Sequence, residues 1–142
     1  MRYARLLLLC LTGVSCGSDD DSDSCPPSVT LAHQWQVHYE DQGPERGYEA
    51  CDPLSDGAAF MDEEGHRLPT SECEDLKSKV TGTCTRYPDQ FCKTTFGYET
   101  YRGSLRIVSE TRLEQDLDYQ QLQISPTSSK LCWSKYKATY TR

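Results

Sequence analysis

Residues 28–40 read SVTLAHQWQVHYE and alternate strictly between two kinds of position. One face carries Val29, Leu31, His33, Trp35, Val37 and Tyr39, and the other carries Thr30, Ala32, Gln34, Gln36, His38 and Glu40. A period of two over this length is typical of a half-buried β-strand. The pattern therefore predicts a strand whose apolar face lies in the core, and it places His33 among the core residues.

The C-terminal half of the chain has the same β character. Residues 96–102 are rich in aromatic side chains and threonine, and residues 104–110 and 131–140 alternate between apolar and polar side chains. Short strands separated by turns predict an all-β fold. We expect a single small antiparallel β-sandwich or barrel-like domain with one short helix, stapled by disulfides.

The segment 112–124 contains a change of alternation. Leu113 and Leu117 lie on one side of an extended chain, whereas Leu122 and Ile124 lie on the other. An extra residue in one strand restores such a pattern to a single face, so the change predicts a β-bulge near residues 120–121.

Residues 41–70 are the least regular part of the sequence. Gly and Pro residues mark turns up to residue 65, with short strands predicted over 48–51 and 58–61. The order Ser71-Glu72-Cys73-Glu74 resembles a capping box, and lysines follow at 77 and 79. Acids at the start and lysines at the end suit the helix dipole, so the short helix is predicted near residues 72–79.

Six cysteines lie beyond the N-terminal segment: Cys25, Cys51, Cys73, Cys84, Cys92 and Cys132. No C-x-x-C spacing favours zinc, and an even number in an exported chain predicts three disulfides. Six cysteines allow fifteen pairings. The set Cys84–Cys92, Cys51–Cys73 and Cys25–Cys132 is the least arbitrary hypothesis, and the sequence leaves the others open.

The first residues predict export. Arg2 and Arg5 precede a short apolar run that is too brief to span a bilayer, and an acidic run follows. With Ser15 before Cys16, the segment resembles the lipoprotein signal of bacteria. The resemblance implies removal of residues 1–15, a lipid anchor on Cys16 and, because Gly17 follows, the outer membrane of the cell envelope. Cleavage into a freely secreted protein is the alternative.

The remaining chain is then an acidic tether and one domain. Residues 16–27 carry a run of aspartates and two prolines, which is typical of a flexible tether, and residues 28–142 form the predicted β-domain. The full chain has a net charge of −7, and loss of Arg2 and Arg5 makes it more negative still. An acidic surface repels nucleic acid and anionic lipid, so no nucleic-acid partner is expected.

Known catalytic and cofactor motifs do not occur in the predicted β-domain. The one G-x-S-x-G match, Gly13–Gly17, falls at the predicted end of the signal peptide, and the sequence contains no P-loop or G-x-G-x-x-G motif. His33 and His38 fall on opposite faces of one strand and cannot act together. We therefore predict no catalytic residue and no metal site, and the sequence favours a protein that is not an enzyme.

Calcium is the one cofactor that the acidic residues suggest. Asp19, Asp21 and Asp23 match the start of an EF-hand loop, but Ser24 and Thr30 replace its glycine and its closing glutamate. Residues 52–75 are also strongly acidic. A solvated acidic surface is the plainer interpretation of both segments.

A candidate surface for a partner or a cation remains. It comprises Asp62, Glu63, Glu64, His66 and Tyr101. Tyrosine is abundant, which suits either a protein or glycan platform or ordinary cross-strand pairing. The first hypothesis is a non-catalytic binding or structural domain of the envelope with an unknown ligand. The alternatives are a secreted inhibitor or effector that binds a cationic protein, and a small secreted hydrolase that uses His66 and nearby acids.

Overall fold

The computed structural model of the protein describes residues 29–68, 72–76 and 84–142. Within these ranges the chain forms ten β-strands and no helix. The strands are β1 (Gln34–Pro44), β2 (Gly57–Met61), β3 (Arg67–Leu68), β4 (Cys73–Asp75), β5 (Thr85–Arg86), β6 (Gln90–Thr94), β7 (Gly97–Arg102), β8 (Leu105–Ser109), β9 (Arg112–Ile124) and β10 (Ser129–Thr141). The predicted signal peptide, Cys16, the tether and Cys25 lie outside the described residues.

The strands form one antiparallel sheet that curls into a half-barrel, which confirms the predicted all-β fold. Their order is β3-β2-β1-β10-β9-β7-β6-β4, so the two shortest strands of this path are its ends. The long strand β9 pairs with β8 through its first half and with β7 through its second half. β5 extends the sheet beyond β8.

The inner face of the half-barrel holds the core. Trp35 and Val37 of β1 are buried there, as the alternation predicts, together with every second residue from Leu113 to Tyr119 in β9 and from Cys132 to Tyr140 in β10. One cluster, formed by residues of β1, β2, β8, β9 and β10 and of the segment before β1, comprises Leu31, Trp35, Val37, Met61, Leu105, Ile107, Leu113, Ala138 and Tyr140. A second cluster comprises Cys51, Leu117, Tyr119, Cys132 and Tyr136.

Three local predictions are wrong. His33 precedes β1 in a bend and is exposed, with its ring against the edge of Trp35 at 6.2 Å between centroids. Residues 48–51 form no strand, although Glu49 makes an isolated bridge to Cys132. The segment predicted as a helix contains strand β4, because Cys73–Asp75 pairs with β6 instead of forming the first turn of a helix.

The β-bulge predicted in β9 is also wrong. The strand pairs without a break to β10 from Arg112 to Ile124 and to β7 around residue 120. Because the alternation is not reset, Leu122 and Ile124 lie on the outer face, opposite to the core.

The structure corrects the predicted disulfide pairing. Cys51 is bonded to Cys132 and Cys73 to Cys92, so none of the three pairs in the hypothesis is formed. Cys84 is disulfide-bonded as well. The Cys73–Cys92 bond joins residues directly opposite in β4 and β6, and Cys51–Cys132 ties the loop after β1 to β10. Stable disulfides indicate an oxidising, extracytoplasmic environment.

Candidate functional site

Strand β3, at one end of the sheet, lies beside β6, which is next to the other end. The side chain of Gln90 in β6 joins the two strands by hydrogen bonds. This side chain, 1% exposed, accepts a hydrogen bond from the backbone N–H of Arg67 at 3.0 Å and donates to the carbonyl of Arg67 at 3.2 Å. The Gln90 side chain thus makes the two hydrogen bonds with the backbone of β3 that a neighbouring strand would otherwise make. The residues next to this bridge form the candidate site.

The loop between β2 and β3 fixes His66 on one side of the bridge. Asp62 Oδ1 accepts hydrogen bonds from the backbone N–H groups of Glu64 and His66, both at 2.9 Å. Gly65 adopts a φ of +89°, and a Cβ at this position would lie 2.7 Å from Leu105 Cδ2. The loop is therefore tightly wound against the core, and His66 is only 2% exposed.

Carboxylates flank both nitrogens of the His66 ring. Asp62 Oδ2 lies 2.9 Å from Nδ1, and Asp75 Oδ1 of β4 lies 3.8 Å from Nε2. One donor atom from each of the three residues lies within 4.8 Å of the others. The Nε2 atom is buried and has no hydrogen-bond partner among the residues that the structure describes.

Arg67 occupies an aromatic cage on the inner face. Its guanidinium lies 5.2 Å from the ring centroid of Tyr39 and 5.1 Å from that of Tyr101. Such contacts stabilise a partly desolvated cation. Nη2 also donates to the Tyr140 hydroxyl at 2.9 Å, which in turn donates to Gln115 Oε1 at 2.7 Å.

The carboxylate of Glu99 binds the hydroxyls of two tyrosines. Glu99 accepts hydrogen bonds from the hydroxyls of Tyr101 at 2.8 Å and Tyr119 at 3.0 Å, and from Gln121 Nε2 at 3.4 Å. Burial raises the pKa of Tyr39 to about 12, and burial also raises the pKa of Tyr101 and of Tyr119. Burial thus keeps these three phenols neutral at ordinary pH, and those of Tyr101 and Tyr119 donate to Glu99.

The structure separates the predicted candidate surface into two parts. Asp62, Glu64 and His66 are close together, with Glu64 Oε2 3.6 Å from Nδ1, while the Glu63 side chain is exposed to solvent. Tyr101 lies on the inner face instead, with its ring tilted by 40° against that of Tyr119 at 5.1 Å between centroids. The sequence included Asp75 in the acidic segment 52–75 but placed it in a helix, whereas the structure places it in β4 beside His66.

The outer face carries a second candidate site that we call the outer apolar patch. It comprises Phe91, Phe96, Tyr98, Leu122, Ile124 and Leu131. Phe96 is 75% exposed and Ile124 49% exposed. Phe96 and Ile124 line a surface cleft of about 390 Å³ together with Ser125, Ser128 and Lys130.

Backbone contacts hold this patch in place. The N–H of Ile124 donates to the carbonyl of Phe96 at 2.7 Å, which joins the β6–β7 turn to the end of β9. Gly97 adopts a φ of +150°, and a Cβ there would lie 1.8 Å from the Leu122 carbonyl oxygen. Only glycine permits this close approach. The exposed Phe96 side chain thus projects from a fixed turn.

Comparison with known proteins gives no family for this chain. No protein-family model, curated protein or solved structure matches it. The described residues include no helix with the length and hydropathy needed to cross a bilayer.

Proposed function

We propose that this chain is a non-catalytic binding domain of the bacterial cell envelope, held by a lipid on Cys16, that binds a protein partner through the outer apolar patch. The observation that carries the proposal is the exposure of Ile124 on the outer face of the sheet together with that of Phe96 in the adjoining β6–β7 turn. Contiguous exposed apolar residues mark interaction sites in soluble proteins.

The composition of the patch supports a protein as the partner. Phe91 and Tyr98 stack at 5.0 Å between centroids, and Leu122 pairs with both Tyr98 and Leu131 across the strands. Aromatic residues are enriched in protein interfaces, whereas charged residues are depleted from their centres. A hydrolytic role at His66 receives less support, because a general base has to reach its substrate and this side chain is buried.

The lipid anchor is tested by labelling. We expect radioactive palmitate to be incorporated into the full chain when it is expressed in a bacterium, and we expect Cys16→Ala to abolish the label. Cys10→Ala is the matched control and keeps the label, because Leu9 does not resemble the small residue that precedes a lipidated cysteine. An unlabelled wild-type chain would mean free secretion.

The patch is tested by a quantitative capture experiment with an affinity-tagged chain purified from the envelope. We expect Phe96→Ser with Ile124→Ser to reduce the amount of a co-purified partner at least about tenfold, since interface anchors contribute about 2 kcal/mol or more. Phe60→Ser is the matched control because Phe60 is 50% exposed on β2, outside the patch.

The control decides the interpretation. Each variant is first shown by thermal unfolding to be folded. A partner that is lost equally from the patch and control variants, or from neither, contradicts binding through the patch.

A further inference from the structure

We infer that His66 and Asp75 bind a divalent transition-metal ion such as zinc, with Asp62 orienting the imidazole. This inference is independent of the outer apolar patch, which lies on the other face of the sheet.

The loop geometry selects the tautomer of His66. Asp62 Oδ2 lies 2.9 Å from Nδ1, while Oδ1 is held by two backbone N–H groups. A carboxylate at this distance accepts the Nδ1 proton, so in the neutral ring the lone pair lies on Nε2. The same carboxylate–histidine arrangement orients metal-ligating imidazoles in known metal sites.

The second nitrogen faces an electron-pair donor. Nε2 is buried, has no hydrogen-bond partner among the described residues and lies 3.8 Å from Asp75 Oδ1. The Nε2 lone pair and the Asp75 carboxylate repel unless a cation lies between them, and 3.8 Å is too long for a hydrogen bond through a proton on Nε2. Zinc–nitrogen and zinc–oxygen bonds of about 2.1 Å at a tetrahedral angle place the donor atoms roughly 3.4 Å apart. The exposed Asp75 side chain therefore needs to move by only a few tenths of an ångström.

The donor types indicate the class of metal. Imidazole nitrogen suits zinc and its neighbours in the first transition row, whereas calcium and magnesium prefer sites made of oxygen atoms alone. Two protein ligands leave the other coordination positions to water. We therefore expect zinc to bind and calcium not to compete with it.

Metal binding would connect the two ends of the sheet. His66 directly precedes β3 and Asp75 ends β4, and these strands are the two ends of the order β3-β2-β1-β10-β9-β7-β6-β4. An ion that binds only the folded chain stabilises it by mass action. The site thus predicts that zinc raises the thermal midpoint of unfolding, Tm.

The test uses the full chain after treatment with a chelator. We expect excess Zn²⁺ to raise the Tm by at least about 3 °C, and the same concentration of Ca²⁺ to have no such effect. In ¹⁵N-detected NMR of the histidine rings, Zn²⁺ is expected to shift the Nε2 signal of His66. The absence of both effects at saturating Zn²⁺ overturns the inference.

Variants separate this site from weak surface binding. Asp75→Asn leaves the buried ring in place and is expected to abolish the zinc-dependent rise in Tm, as is His66→Gln if that variant folds. His38→Gln is the matched control, since His38 forms an exposed pair with Asp56 at 2.5 Å, and it keeps the response. A response that survives in Asp75→Asn, or that disappears in His38→Gln, overturns the assignment.

Discussion

We expect the double variant Cys51→Ala/Cys132→Ala to lose about 4.5 kcal/mol of unfolding free energy, the largest loss of any single cross-link in the described residues. The bond joins residues that are 81 positions apart. In the chain-entropy account, the stabilisation grows with the logarithm of the closed loop because the bond removes conformations from the unfolded chain. Both sulfurs also lie in the second core cluster, so truncation removes some packing as well.

The Cys73–Cys92 bond provides the matched control. It closes a loop of only 19 positions, so Cys73→Ala/Cys92→Ala is expected to lose about 3 kcal/mol. Chemical denaturation with urea measures both values. An equal or reversed order would show that native-state packing, and not loop length, determines the contribution of these bonds.

The alternation of apolar and polar residues correctly predicted two of the strands. The alternation around Trp35 and that of residues 131–140 each identified a strand and its buried face. Successive side chains of any extended strand point to opposite faces. The alternation therefore shows which face is buried without showing which strands are neighbours. Residue His33 departs from this because the chain bends before Gln34, and a bend ends the alternation.

The same reasoning failed where tertiary contacts override local signals. The capping-box sequence near Cys73 is compatible with a helix, but its cysteine is bonded to Cys92 and its backbone pairs with β6. Disulfide pairing depends on which strands are neighbours, and spacing in the sequence does not reveal the strand order. The backbone pairing of β4 with β6 and the Cys73–Cys92 bond therefore override the local preference for a helix.

The change of alternation in β9 has two structural interpretations that the sequence does not distinguish: a bulge, or an unbroken strand with apolar residues on both faces. A bulge would have returned Leu122 and Ile124 to the core, whereas an unbroken strand leaves them on the outer face. The exposed outer residues of β9 are the observation on which the proposed protein-binding surface depends.

The sequence brought together only part of the candidate metal site. Asp62 and His66 lie four residues apart, so local spacing brought them together. Asp75 and the tyrosines around Arg67 come from other strands, and only the curl of the sheet places them near the loop. Residues that meet across the ends of a sheet have no fixed spacing that a motif could record.

The buried tyrosines predict a loss of stability in alkali. Burial raises the pKa of Tyr39 in the folded state to about 12, whereas in the unfolded chain a tyrosine ionises at about 10. The stabilising contribution is fully present below pH 10. It is lost as the pH rises from about 10 to about 12, because the unfolded chain releases a proton that the folded chain still holds. A shift of this size corresponds to about 3 kcal/mol for Tyr39 alone.

Tyr101 and Tyr119 strengthen the effect. The pKa of each is raised in the folded state, chiefly by burial and also through the neighbouring carboxylate of Glu99. We therefore expect the free energy of unfolding to fall steeply above pH 10, and the tyrosinate absorbance of these rings to appear together with unfolding. Stopped-flow absorbance and circular dichroism at matched pH measure the two processes before disulfides are attacked.

Tyr39→Phe tests the cause directly. The variant keeps the ring against Arg67 but removes the phenol, so its stability is expected to fall less between pH 10 and 12 than that of the wild-type chain, by about 3 kcal/mol. The chain unfolded in guanidinium supplies the reference titration. If the variant and the wild type lose the same stability over this range, the phenol of Tyr39 is not held neutral by burial in the half-barrel.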